Sequence, residues 1–216
     1  VRTSLGMCYL WEVNFFKKLG TQLIGDNNNS PSDAASFVLS SNEPLINWIG
    51  PEFPITIRDN NSRIIRLVRT GLGVRGVLSN WMRSLGDNTF NRDYKSIDGL
   101  SNWIEDARSL IENEQKREIE RQYNTSNDTA TMRNTKELIN YSLTSRGEYG
   151  KNADFYNLLS RKSNRFLVVD PGGEWVVLMS SLAAKLPANP TTLAILKKSF
   201  SQLGIYFNRK QLVKEL

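Results

Sequence analysis

The chain has 216 residues, with 28 Lys and Arg, 22 Asp and Glu, one Cys and no His. The absence of His excludes Ser-His-Asp and Cys-His catalysis and His-containing zinc sites. A single Cys excludes Cys-rich metal sites and an internal disulfide, so we expect no metal or other cofactor.

The net charge of +6 is concentrated at the C-terminal end. Nine basic and three acidic residues lie between Arg161 and Leu216, whereas the first 160 residues hold 19 of each. A basic end behind a neutral body is the electrostatic pattern of a protein that contacts polyanions.

No segment predicts a membrane helix. The best candidate, Leu5 to Ile24, is interrupted by Glu12, Lys17 and Lys18. It does not resemble a signal peptide either, because its charges lie inside the apolar stretch rather than before it. One Cys suits a reducing compartment, so we expect a cytoplasmic protein without membrane contact. The chain starts at Val1 without Met and ends at Leu216 in a helical pattern, so we expect a piece of a longer protein.

The N-terminal region predicts helices joined by loops. Residues 1–20 form an amphipathic pattern that ends at Gly20, with a predicted inner stripe of Leu5, Cys8, Trp11, Phe15 and Leu19. A loop covers 26–33, and a short helix follows from Asp33 to Leu39. Residues 44–54 are expected to be irregular, and residues 55–58 to form a short strand.

Three glycines, Gly71, Gly73 and Gly76, match the dinucleotide-binding pattern G-x-G-x-x-G. That pattern requires a preceding strand, but the apolar residues of 63–69 fall on one helical face. We therefore favour a helix, a glycine turn and a second helix over 77–85.

Arginines line the opposite face of the same segment, where Arg63, Arg66 and Arg69 recur at helical spacing, with Arg58, Arg75 and Arg83 nearby. Arginine suits bidentate contacts to phosphate. The alternative is a solvated face paired with acids of the next helix. The three spaced arginines are candidate nucleic-acid contacts.

The longest predicted helix covers 96–123. Its first half has an apolar stripe, and its second half is highly charged, so we expect it to project beyond the core. Glu114 and Lys116 match half of a metal-dependent nuclease signature, but that signature normally lies on a strand. A polar linker is predicted at 124–135, followed by helices at 136–143 and 153–161.

The C-terminal unit begins with a predicted strand at 165–169, followed by a helix with an apolar face of Trp175, Leu178, Met179, Leu182 and Leu186. Asp170 and Pro171 supply its start. A second helix, with the apolar residues Leu193, Leu196 and Phe200, carries Lys197 and Lys198 and ends near Gly204. Asn208 begins a terminal helix that carries Arg209, Lys210 and Lys214.

Two helices joined by a glycine-containing turn resemble a helix-turn-helix, in which the second helix enters a DNA groove. The turn from Gly204 to Asn208 is longer than the compact form, and a winged helix would need a further hairpin. The alternative is an ordinary helical hairpin with solvated lysines.

The predicted class is therefore mainly α: a multi-helix domain with one or two short strands and a C-terminal helix-turn-helix-like unit. We expect a charge-neutral domain at 1–123 and a basic unit at 136–216, joined by the 124–135 linker. The leading hypothesis is a non-enzymatic domain that contacts duplex DNA through phosphates. Its rivals are a protein-interaction or scaffold domain and a metal-dependent enzyme that uses Asp170 or Glu174.

Overall fold

The chain is mainly helical, as the sequence predicts. The computed structural model describes residues 2–25, 29–40, 46–48, 55–86, 96–124, 159–163, 166–169, 173–184, 191–202, 205–207 and 213. Within them the helices are α1 Arg2–Ile24, α2 Pro31–Leu39, α3 Ile57–Leu85, α4 Ile97–Leu110, α5 Asn113–Asn124, α6 Gly173–Ala184 and α7 Leu193–Gln202. None of these helices is long and apolar enough to cross a membrane.

Short strands accompany the helices: β1 Ile46–Trp48, β2 Ile55–Thr56, β3 Leu159–Ser163, β4 Phe166–Val169 and β5 Ile205–Phe207. Strands β1 and β5 pair in parallel, with Ile46 opposite Ile205. Strand β4 lies between β2 and β3 and is antiparallel to both.

The chain divides into two compact units. One comprises Val1–Trp11, Ser41–Ile65 and Arg133–Leu216, and the other comprises Glu12–Ser40 and Arg66–Met132. The domain boundaries expected from the sequence stay a prediction. The expected linker at 124–135 lies outside the described residues apart from Asn124, which ends α5, and so does the expected helix at 136–143.

The second unit has a core to which five helices contribute. Its buried apolar side chains are Leu19, Leu23, Ala34, Ala35, Val38, Val74, Leu78, Trp81, Leu100, Trp103, Ile104, Ala107, Ile111 and Ile119. Helix α2 packs against α4 and begins as its sequence dictates. Ser30 Oγ accepts a hydrogen bond from the Asp33 amide, and Pro31 occupies the first turn.

The predicted inner stripe of α1 is partly right. Leu19 is buried and Phe15 packs against the core, but Cys8 is exposed. The other buried apolar residues of α1 are Met7, Leu10, Val13 and Leu23. The helix also continues past Gly20 to Ile24. A Cβ atom at Gly20 would lie 2.9 Å from Val74 Cγ1 and 2.5 Å from the Tyr123 hydroxyl. Gly20 therefore permits close packing rather than ending the helix.

The predicted glycine turn is also wrong, because α3 runs unbroken through all three glycines. A Cβ atom at Gly71 would lie 2.1 Å from the Val13 carbonyl oxygen, and one at Gly73 would lie 2.2 Å from Gln122 Oε1. Gly71 and Gly73 thus allow α1 and α5 to approach α3 closely. Since residues 63–69 are helical, the strand that a dinucleotide-binding loop requires does not precede the glycines.

The long helix predicted at 96–123 is two helices. The first of them, α4, begins after Ser96, whose Oγ accepts a hydrogen bond from the Gly99 amide at 2.9 Å. The chain becomes extended at Ile111, whose side chain is buried, and α5 follows. The second half does not project: Ile119 is fully buried and the Tyr123 hydroxyl donates to the Lys17 carbonyl oxygen.

The C-terminal elements differ from the expectation in three places. Helix α6 exposes Leu178 and Leu182, which were predicted to face inward, while it buries Val176. Residues 159–161 belong to β3 rather than to the end of a helix. Strand β5 occupies 205–207, within the segment predicted as the turn. The terminal helix predicted after Asn208 lies outside the described residues apart from Val213.

Candidate nucleic-acid interface

Helix α7 carries two adjacent exposed cations. Leu196 and Phe200 are buried and define the inner side of the helix. Lys197 and Lys198 are exposed. The helix begins where Thr192 Oγ1 accepts a hydrogen bond from the Ile195 amide at 3.3 Å. Among the described residues no ion pair or hydrogen bond engages the ammonium group of either lysine, and Ser201 Oγ donates to the Lys198 backbone carbonyl oxygen at 2.8 Å.

Arg66 and Arg75 lie on different sides of α3. Arg66 is exposed, and Arg69 is partly buried and has contacts of its own. Arg75 lies nine residues beyond Arg66, which is half a turn away from it around the helix axis. Its guanidinium pairs with Glu12 of α1, with 3.4 Å between Nε and Oε1, and lies 5.9 Å from the centre of the Phe16 ring.

The remaining candidate contacts cannot be placed. Arg63 lies within α3, but its side chain is outside the described part of the structure. Arg209, Lys210 and Lys214 also lie outside the described residues. Of the predicted contacts, the structure therefore brings together Lys197 with Lys198, and Arg66 with Arg69 one turn apart.

The sequence did not predict a cleft between α3 and α5. It has a volume of about 710 Å³ and is lined by Val77, Asn80, Trp81, Ser84, Glu114, Gln115, Arg117, Glu118 and Arg121. Its two carboxylates and two guanidinium groups cancel in charge, and Glu118 binds Arg121 at 3.0 Å. A neutral lining does not select a polyanion. The cleft exists because α5 folds back at Ile111, a reversal that the charged sequence of α5 did not indicate.

The enzyme alternative gains no metal-binding geometry from the described residues. No three or more Asp, Glu or Cys side chains converge there in a way that would hold a metal ion. Glu114 and Lys116, the half-match to a nuclease signature, lie on helix α5 rather than on a strand. Asp170 lies outside the described residues, and the side chain of Glu174 is not described.

Tyr123 has the one clearly displaced pKa among the described residues. Burial of the phenol raises its pKa above the usual range, because the charged phenolate would lose hydration. The hydroxyl donates to the backbone of α1, so this tyrosine ties α5 to α1 and is not a reactive group.

Comparison with known proteins adds no family assignment. No protein-family model matches the chain, and no curated protein or solved structure resembles it at a significant level. The chemistry of the exposed side chains therefore has to support any functional conclusion.

Proposed function

We propose that this chain is a non-enzymatic domain of a larger protein or assembly that contacts duplex DNA, mainly through its phosphates. The observation that carries the proposal is the exposed pair Lys197 and Lys198 on α7. This pair lies in a sequence stretch from Trp175 to Lys214 that has six basic residues and no acidic one.

The ammonium groups of Lys197 and Lys198 have no acidic partner among the described residues. Since no described acidic group neutralises them, phosphate binding does not first require an intramolecular ion pair to break. Each phosphate neutralised by such a cation releases condensed counterions, and this release provides sequence-independent affinity. Leu196 and Phe200 are buried on one side of α7, and both lysines lie on its exposed side.

The proposal includes a DNA-recognition helix, which the sequence predicts after Asn208. Arg209, Lys210 and Lys214 follow the second helix at the spacing of a helix-turn-helix-like unit, and their role rests on the sequence alone. Strand β5 occupies residues 205–207 of the connection that precedes them, and it pairs in parallel with β1.

The test is DNA binding as a function of salt, measured by fluorescence anisotropy with a labelled duplex. We expect affinity to fall at least about tenfold between roughly 50 and 200 mM salt. The variant with Lys197→Gln and Lys198→Gln should bind more weakly, with a salt slope smaller in magnitude by about 2.

The matched control is Lys116→Gln with Arg117→Gln, which removes the same charge from α5. We expect this control to bind DNA as the unaltered chain does. Absence of binding at about 50 mM salt, or equal losses in both double variants, would refute the proposed role of α7.

A second candidate is a protein-interaction or scaffold domain. The specific observation that favours it is the exposed apolar side of α6, since contiguous exposed apolar residues mark interaction surfaces.

A further inference from the structure

Helix α5 carries a stripe of alternating charge on its outer side. Glu114, Arg117, Glu118 and Arg121 fall within an arc of roughly 100°, because residues three and four apart share one side of a helix. Ile119, the buried residue of α5, lies on the opposite side. Glu118 is partly exposed and the other three are exposed. We call these four residues the charged stripe, and all of them border the cleft between α3 and α5.

The order of signs along the charged stripe is self-complementary. It runs acid, base, acid, base, so reversal of the helix direction exchanges every acid for a base. When two such helices lie antiparallel with Glu114 opposite Arg121 of the second copy, Arg117 lies opposite Glu118 of the second copy. The two-fold symmetry repeats both pairs, so every member of the charged stripe then faces an opposite charge.

Other arrangements of two charged stripes match fewer charges. In a parallel pair in register, each residue lies opposite its own copy, so like charges meet. A shift of either pair by one turn leaves at most half of the stripe opposite the other sign. Charges beside a helix–helix contact are known to set orientation and register in this way. The charged stripe therefore selects the antiparallel arrangement.

We propose that the charged stripe binds the charged stripe of a second copy of this chain, so that two α5 helices pair in an antiparallel, symmetric dimer. Glu118 already pairs with Arg121 of its own chain at 3.0 Å, whereas Glu114 and Arg117 have no ion pair among the described residues. Dimerisation joins these groups into networks of four charges, and such networks contribute more than isolated surface pairs.

The charge of the surrounding unit allows two copies to approach each other at α5. This unit, Glu12–Ser40 and Arg66–Met132, contains 12 basic and 13 acidic residues. The surplus of basic residues lies between Arg161 and Leu216, in the other unit. Repulsion between charges that lie more than about 10 Å apart is largely screened at physiological salt.

A polyanion fits the charged stripe less well than a second copy, because it would meet two carboxylates. The contact is also small: two turns of one helix are less than the surface of about 800 Å² that each partner buries in a stable interface. We therefore expect a weak dimer, with a Kd of about 0.1 to 1 mM. This proposal is independent of DNA binding, since it involves no residue of α7.

The experiment is sedimentation equilibrium of the whole chain, without nucleic acid, at about 0.02 to 1 mM. The average mass should rise with concentration towards that of a dimer, and the rise should diminish between roughly 50 and 500 mM salt. Arg121→Glu and Glu114→Arg should each weaken dimerisation about tenfold or more, because each places like charges opposite each other.

The two changes combined in one chain restore opposite charges at both positions. The variant with Glu114→Arg and Arg121→Glu should therefore recover a Kd within about threefold of the unaltered value. The matched control is Glu120→Arg, which reverses an exposed charge of α5 outside the charged stripe and should leave the dimer unchanged. Circular dichroism checks that each variant remains helical.

Three results would overturn the proposal. The first is a monomer at about 1 mM protein and 50 mM salt. The second is an equal loss of dimer in the Glu120→Arg control. The third is a combined variant that dimerises no better than either single change, since the two residues would then not face each other. If either single variant fails to fold, Arg117→Glu and Glu118→Arg provide the same comparison at the centre of the charged stripe.

Discussion

The ammonium group of Lys18 lies 2.7 Å from the carbonyl oxygen of Ser40, at the C-terminal end of α2. The side chain of Lys18 is only 3 % exposed. Its Nζ also donates to the Phe37 carbonyl oxygen at 3.3 Å and lies 5.0 Å from the centre of the Phe37 ring. A cation at this end satisfies carbonyl groups left without helical partners and interacts favourably with the helix dipole.

Arg108 makes a similar contact at the end of α1. Its Nε donates to the Gln22 carbonyl oxygen at 3.1 Å, and its Nη1 donates to the Asn29 carbonyl oxygen at 2.9 Å. Lys18 and Arg108 therefore stabilise helix ends in the neutral part of the chain. Their charges should be counted as structural and not as part of an anion-binding surface.

We predict that Lys18→Met lowers the free energy of unfolding by about 1 to 2 kcal/mol, because it removes the ammonium donor to the Ser40 carbonyl oxygen and the cation at the C-terminal end of α2. Urea denaturation followed by circular dichroism measures the change. The neighbouring Lys17→Met removes the same charge from a more exposed position and should cost under about 0.5 kcal/mol. Equal effects of the two changes would contradict the capping role of Lys18.

Two glycines of α3 should respond to alanine in opposite directions. At Gly71 a Cβ atom would meet the backbone of Val13, which a side-chain rotation cannot relieve, so Gly71→Ala should destabilise the protein by about 1 to 3 kcal/mol. At Gly76 a Cβ atom would meet nothing within 4 Å, so Gly76→Ala should stabilise the helix by up to about 1 kcal/mol. Urea denaturation of both variants measures the pair. Destabilisation by both would indicate that α3 is interrupted near these residues.

The buried phenol of Tyr123 should cause the free energy of unfolding to decrease in alkali. Its pKa is raised in the folded state by burial, so the native state keeps a proton that the unfolded chain releases above its ordinary pKa of about 10. The contribution is present below pH 10 and is lost as pH rises above it. Tyr123→Phe should lower stability at pH 7 by about 1 kcal/mol through the lost hydrogen bond.

The same Tyr123→Phe variant should lose stability less steeply than the unaltered chain above pH 10. Urea denaturation at a series of pH values from neutral to alkaline measures both slopes. Parallel curves for the two proteins would show that the Tyr123 phenol ionises alike in the folded and unfolded states.

The DNA proposal predicts a role for the first turn of the helix that the sequence predicts after Asn208. Arg209 and Lys210 follow Asn208, and positive side chains at a helix N-terminus oppose the helix dipole. Arg209→Ala with Lys210→Ala should therefore weaken DNA binding and leave thermal stability unchanged or slightly raised. Anisotropy and thermal denaturation measure the two effects. Unchanged DNA binding would show that these charges are incidental to it.

Local patterns in the sequence were sufficient to predict most of the described helices. The helix predicted from Asp33 to Leu39 begins two residues earlier, at Pro31, and the helix predicted from Ser96 begins one residue later, at Ile97. The positions of Leu196 and Phe200 gave α7 and its buried side correctly. These features depend on hydrogen bonds and apolar spacing within about one or two helical turns, and such interactions are encoded by neighbouring residues.

The tertiary structure decided the role of the glycines, the reversal at Ile111 and the exposed side of α6. Gly20 and Gly71 resemble helix ends or turns when only their neighbours along the chain are considered. Their small size is instead required by Tyr123 and Val13, which are distant in the sequence. Leu178 and Leu182 have the spacing of a buried stripe, yet α6 buries Val176 and Ser180. A helix that is apolar around most of its circumference does not specify which side faces the core, because that choice depends on the surface it packs against.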